Sequence, residues 1–383
     1  YNPIGGGSEK ISVLVNQVGY DNGKPKRATV PNAEDGVPFQ VVNAGTRKVD
    51  FSGTIQGGIA DFSALETDKD TDFYITSGDA QSYNFTIGTD IIQRRSVKNA
   101  LAFMNQTRSD TFEPGQAGIG WRDSHQFSFE LNGLVLQYMA NPSLYDNLPY
   151  SIVSANTCEY EELRNQDEPD LIWLIQFAAL RYYDWGHNKG KKLHMLTKEQ
   201  LAYYLYIYPE ISQYVPRETY EAIRDYTVKV WGENACNVQW YEMPNTNHDL
   251  YSVQKVFGGL KGSQPPGHSI VPNLLMYEMA KRDGLGDAAA QKFFDAAYDN
   301  CEYTISGIDI TDPYYNKGQR MSEYITVPAL AYFLEMYPDK APSGLSAALE
   351  KWAGKTIARS YNPWTSAWRP VWQRGTRNIS STT

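Results

Sequence analysis

The chain has 383 residues, 43.3 kDa, 42% hydrophobic and 21% charged residues, and a mean hydropathy of −0.51. That suits one or two folded domains with a substantial core, and excludes collagen-like, wholly disordered and small disulfide-scaffold chains. The 35 Lys and Arg against 44 Asp and Glu leave a net charge of −9, so no basic field exists to draw in nucleic acid or anionic lipid.

The sequence opens at Tyr1 without Met, which fits a product whose export signal has been removed and predicts a secreted, periplasmic or cell-surface location. From Lys10 to about Thr89, short alternating runs read as strands: Ile11 to Val18, Arg27 to Val30, Pro38 to Val42, Asp72 to Ile75 and Tyr83 to Ile87. Asp21-Asn-Gly23, Asn43-Ala-Gly45 and Gln56-Gly-Gly58 punctuate them as turns. Several short strands at this spacing predict an immunoglobulin-like β-sandwich, bounded at 9–92.

After Arg94 the apolar period changes from two to helical. Helices are predicted at Ser96–Gln106, Phe127–Met139, Leu171–Trp185, Lys198–Ile207, Arg217–Trp231, Val271–Arg282, Ala288–Tyr303, Ser322–Met336 and Leu345–Arg359. Pro209, Gly284 and Pro338 read as stops, and Thr197 and Ser343 as N-caps. This all-α domain is bounded at 93–373, with a polar tail over 374–383. The richest apolar run, Leu171 to Leu180, falls well short of the roughly 18 residues that cross a bilayer.

The densest group of chemistry-bearing residues is Gly118-Ile-Gly-Trp-Arg-Asp-Ser-His-Gln-Phe127, just ahead of a predicted helix. Trp121 offers a flat apolar face, and Arg122, Asp123 and His125 place three ionisable groups within four positions. Such a loop can hold a sugar ring and position a proton-transfer group; Asp123 and Ser124 equally suit a plain helix cap. The acidic run Glu159, Glu161, Glu162, Asp167, Glu168, Asp170 leads into a helix, where acids favour the positive end of the dipole. Lys261-Gly-Ser-Gln-Pro-Pro-Gly-His268 is a rigid turn that would set His268 near the mouth of a helical scaffold. Glu323, in Arg320-Met-Ser-Glu-Tyr324, is the prominent carboxylate near the C-terminus, and it also suits a helix start. The sequence has no G-x-S-x-G elbow, phosphate loop or H-E-x-x-H helix, and its five His are scattered, so neither a cofactor nor a metal site is expected. Cys158, Cys236 and Cys301 lack C-x-x-C spacing and read as buried free thiols.

Val13-Leu-Val-Asn-Gln-Val-Gly-Tyr20 followed by Pro25-Lys-Arg-Ala28 resembles the opening of the immunoglobulin-like domain that precedes glycoside hydrolase family 9 catalytic domains. Gly120-Trp-Arg-Asp123 resembles that family's Gly-Trp-x-Asp-Ala-Gly-Asp loop at the start of an (α/α)6 barrel, and Pro169-Asp170 resembles a further segment. The resemblance implies an Ig-like sandwich followed by an (α/α)6-barrel-type helical domain, and inverting hydrolysis of cellulose or a related β-linked polysaccharide. Asp123 falls on the first Asp of the loop, which helps hold the nucleophilic water, whereas the second, the usual base, falls on Gln126, whose amide cannot take a proton. Asp123 or Glu130 would then serve as base, with Trp121, Arg122, His125, Gln126 and His268 lining subsites. The barrel takes twelve helices against the nine predicted, so its last part, which carries the family's general-acid Glu, is expected to be absent or shortened. The alternative is a catalytically inactive carbohydrate-binding or surface-assembly protein on the same fold.

Overall fold

The computed structural model describes residues 12–107, 130–148, 150–153, 160–190, 192–193, 195–233, 249–254, 267–307, 319–362 and 367–368. The chain divides into two compact units, the first comprising residues 1–103 with 143–152, the second 104–142 with 153–383.

The first unit is a small sandwich. One sheet has the order β1 (Tyr20–Asp21), β8 (Phe85–Gly88), β6 (Thr71–Ser77), β3 (Pro38–Asn43), β4 (Val49–Thr54), with β7 (Ala80–Gln81) added beside β6. The other pairs β2 (Arg27–Thr29) with β5 (Ile59–Asp61). Between them Phe39, Val41, Phe62, Phe73, Ile75, Phe85 and Ile87 form a closed apolar core. Tyr20 meets Phe62 and Phe85 edge-on, each at 5.1 Å, the arrangement the ring quadrupoles favour.

The two motifs at the head of this unit have physical causes. The Tyr20 hydroxyl donates to the Arg27 carbonyl at 2.9 Å and accepts the Asn16 N–H at 2.9 Å, while Asn16 Oδ1 accepts the Val18 N–H. That local turn takes up the Asn16 and Val18 amides of the strand expected over 11–18, of which, among the described residues, a single bridge, Leu14 to Thr29, forms. Gly19 has φ +129°, and a Cβ there would lie 2.3 Å from Ile91 Cγ2, so no other residue fits. Lys26 is fully buried, and its ammonium is satisfied by the Lys24 and Ser63 carbonyls and by Glu66 at 2.8 Å.

Ten α-helices occur among the described residues: α1 (Ile91–Thr107), α2 (Glu130–Ala140), α3 (Pro142–Asp146), α4 (Asp170–Tyr183), α5 (Met195–Ile211), α6 (Arg217–Val230), α7 (Ile270–Arg282), α8 (Asp287–Gly307), α9 (Gln319–Met336) and α10 (Leu345–Ser360). All nine predicted helices are there; the short α3 is additional. In the second unit α2, α5, α7 and α9 pack in a row, backed by α4 on α2 and α5, α6 on α4 and α5, α8 on α7, and α10 on α8 and α9. The row is parallel. Near one end Gln200 of α5 reaches Leu131 of α2, His268 before α7 reaches Glu199 of α5, and a Cβ on Gly267 would lie 3.3 Å from Thr326 of α9. Toward the other, Arg282 of α7 reaches Leu205 and Tyr206 of α5, and Tyr337 after α9 donates to Glu278 of α7.

Three expected boundaries are corrected. Thr197 is not a cap but a buried residue inside α5, and Pro209 does not end that helix, which runs on to Ile211. Proline at 209 lacks the N–H that would bond the carbonyl of Leu205. The guanidinium of Arg282 supplies the missing donor, at 2.9 Å to Leu205 O and 3.1 Å to Tyr206 O. Arg282→Met is therefore expected to destabilise the helical unit by about 2–3 kcal/mol. The check is its urea midpoint, and an unchanged midpoint would show that the helix tolerates Pro209 without a substitute donor. Gly284 does terminate α7, at φ +68° with Leu285 N–H bonded to Ala280 O at 3.0 Å. Ser343 misses its cap by one residue, since the first bond of α10 goes to the carbonyl of Gly344.

Candidate functional site

The N-terminal ends of α2, α5, α7 and α9 gather at one end of the row, and three consecutive residues of α5 hold that end together. Successive helical residues point about 100° apart, so each faces a different neighbour. Lys198, fully buried, donates to the carbonyls of Val230 at 3.1 Å, Trp231 at 3.3 Å and Glu233 at 2.9 Å, placing its charge on the negative end of α6. Glu199 Oε1 lies 2.6 Å from His268 Nδ1. Gln200 Oε1 accepts the Leu131 N–H at 2.9 Å, satisfying one of the orphan amides in the first turn of α2.

Further hydrogen bonds fix the entry to α7. Trp231 Nε1–H donates to Asn273 Oδ1 at 2.9 Å, and the Asn273 amide donates to the carbonyls of Leu250 and Ser269, both at 3.0 Å. Asp249, the acid beside His248, accepts from Tyr251 N–H and the Ser252 hydroxyl, closing a turn.

Of the residues expected to carry chemistry, Trp121, Arg122, Asp123, His125 and Gln126 lie outside the described residues. Glu130 is the first residue of α2, and Glu323 lies near the start of α9, which begins three residues before its predicted boundary. The fold brings these two positions to the same end of the row, on its first and last helices. His268 is at that end too, but buried: only 3% of its side chain is exposed, and it faces Glu199 rather than an open mouth. Its pairing with a carboxylate at the head of α7 explains the burial.

Sequence reasoning missed Glu199, and it read Glu168 only as one of a run of acids favoured by the positive end of a helix dipole. Nothing in Thr197-Lys-Glu-Gln200 marks Glu199 as anything but an exposed helix start, yet all four residues are buried. Glu168 precedes α4 and is also buried. One carboxylate oxygen accepts the Asn165 N–H at 3.1 Å; the other is enclosed with no hydrogen-bond partner among the described residues. Burial pushes its pKa up to about 7, against smaller lowering effects of the Asn165 amide and the Arg164 charge.

Among the described residues no group of three or more His, Cys, Asp or Glu could hold a metal ion, and no helix is long and apolar enough to cross a membrane. Cys301 is a buried free thiol; Cys158 and Cys236 lie outside the described residues.

A strand-rich unit followed by a parallel row of helices backed by an outer layer defines a β-sandwich joined to an all-α scaffold. Residues 8–90 match the family described as the cellulase N-terminal ig-like domain. A thermostable single-mutant endoglucanase from Alicyclobacillus acidocaldarius has a TM-score of 0.51 at 11% identity, over 92% of this chain and 71% of that one. AaCel9A in complex with cellobiose-like isofagomine gives 0.52 at 12%, over 91% and 71%. GH family 9 endoglucanase J30 gives 0.47 at 14%, over 92% and 72%. No curated protein matches in sequence. The chain has a cellulase-type Ig-like domain followed by a helical unit with the fold of the family 9 endoglucanases.

Proposed function

We propose that the protein is a glycoside hydrolase that cleaves β-linked polysaccharide, cellulose or a related β-glucan, with inversion at the anomeric carbon. The observation that carries this reading is the gathering of four helix N-termini at one end of the row, with Gly120-Trp121-Arg122-Asp123 a few residues ahead of the first of them in the sequence. On this reading the Ig-like domain spans 9–92, the helices of 93–373 form an (α/α)6-type scaffold and 374–383 is a tail. The chain acts outside the cytoplasm, and the polymer lies across the gathered helix ends. Asp123 holds the attacking water, and Asp123 or Glu130 takes its proton because Gln126 cannot. Glu323, across the row, is the candidate for protonating the leaving oxygen. An inverting pair needs a separation of roughly 6.5–9.5 Å to admit the water. Trp121, Arg122, His125 and Gln126 line the sugar, while His268, clamped by Glu199, holds the head of α7 behind them.

Gln126 also favours a second reading, a carbohydrate-binding protein without turnover. Incubation with β-glucans, xyloglucan and chitosan, following both retention and reducing-sugar release, separates the two. Product from at least one β-glucan supports the enzyme, retention without product supports the silent binder, and neither would overturn both.

A further inference from the structure

We infer that the wide turn closing α4 is a sugar-stacking site, in which the exposed face of His187 carries a pyranose ring of a β-glucan chain beside the hydrogen-bonding groups of Asn188 and Lys189. This inference rests on the polysaccharide reading above. The last helical turn of this segment, Asp184–Asn188, is a π-turn, closed by Lys189 N–H bonding to Asp184 O at 2.9 Å. Such turns carry poorer hydrogen-bond geometry than an α-helix and are found disproportionately at functional sites.

The turn lays His187 flat on Tyr183, with ring centroids 4.7 Å apart and planes 14° from parallel. Tyr226 of α6 meets both rings edge-on, at 5.6 and 5.7 Å. Gly186 makes this approach feasible, since a Cβ there would stand 1.8 Å from the Tyr226 hydroxyl. A buried tyrosine thus backs a stack whose outer ring, His187, is exposed, as are Asn188 and Lys189. Around it the polar groups are already fixed. His187 Nδ1 lies 3.0 Å from Asn188 Oδ1, and the Asn188 amide donates to Asp184 Oδ1 at 2.8 Å. Lys189 Nζ pairs with Asp184 Oδ2 at 3.0 Å.

A pyranose presents C–H groups on its faces and hydroxyls around its edge. A rigid aromatic face with oriented donors and acceptors at its margin complements both, and the cost of ordering them is met before the sugar arrives. The place fits as well. Tyr226 lies near the C-terminal end of α6, the end that Lys198 joins to the start of α5, so the stack belongs to the same end of the unit as the gathered helix N-termini.

The test is native affinity electrophoresis of the full chain in gels containing soluble β-glucan, with His187→Ala and His187→Phe beside the wild type and thermal melts to confirm folding. The expected result is retardation of the wild type, a roughly three- to tenfold loss of affinity in His187→Ala, and wild-type-like affinity in His187→Phe, which keeps a flat ring. Equal retardation of the wild type and His187→Ala would overturn this site alone, as would loss in both variants, because the ring face would then not be what binds. A wild type that no soluble β-glucan retards would overturn the site together with the polysaccharide reading.

Discussion

Replacing Asp123 with Asn is expected to lower reducing-sugar release from β-glucan by at least about 100-fold, the range in which a positioned proton acceptor contributes. Asn keeps the volume and hydrogen-bonding capacity of the side chain but cannot take a proton or attract a developing positive charge on water. The position lies seven residues ahead of Glu130, the first residue of α2, in the sequence. The converse substitution sharpens the test. Gln126→Asp restores a carboxylate where the resembled loop has its second Asp, and is expected to raise kcat by about 100-fold or more with little change in KM, since proton transfer is felt in the transition state and not in binding. An Asp123→Asn variant with full turnover would sink the mechanism. A Gln126→Asp variant no faster than the wild type would mean that water is activated from somewhere other than this loop.

The second large effect concerns stability. Glu168 is buried and carries a folded-state pKa of about 7 against an ordinary 4.5, because desolvation penalises its anion. A carboxyl raised in the folded state keeps its proton longer there than in the unfolded chain. Its contribution is therefore fully present below about pH 4.5 and is lost as pH rises through about 7. A shift of this size corresponds to something on the order of 3 kcal/mol of stability across that window. Glu168→Gln removes the ionisation while leaving an oxygen for the Asn165 N–H. It is expected to melt at a higher temperature than the wild type at pH 8.5 and at a similar or slightly lower one at pH 4, where the wild-type carboxyl is already neutral. Thermal melts across that range decide it: parallel pH profiles for the two proteins would show that Glu168 ionises freely in the folded state.

Period and punctuation made much of the fold legible. Helices such as α6 and α8 declare themselves by an apolar stripe, and Gln56-Gly-Gly58 is the tight turn its glycines suggest, with both in the left-handed region. Strands β4 and β5 escaped because Val49–Thr54 buries little of either face and Ile59–Asp61 is three residues long, too short for a period to register. The errors at Thr197 and Pro209 share one cause. Both are local signals overridden by a distant partner, since the polar start of α5 is enclosed by α2, α6 and α7, and the proline is satisfied from α7. The site divides in the same way. Asp123 and Trp121 stand out because a dense polar-aromatic motif is a local property, whereas the Glu199–His268 pair joins residues 69 positions apart, and neither residue hints at the other.

The three-way attachment at the head of α5 has a mechanical consequence. Because Lys198, Glu199 and Gln200 occupy a single turn, deleting one residue just after them would swing the whole set by roughly 100° relative to the rest of the helix and detach three neighbours in one event. That part of the scaffold is expected not to loosen one helix at a time. It would open as a single cooperative block, with the amide of Leu131 becoming exchangeable at the same free energy as those at the end of α6.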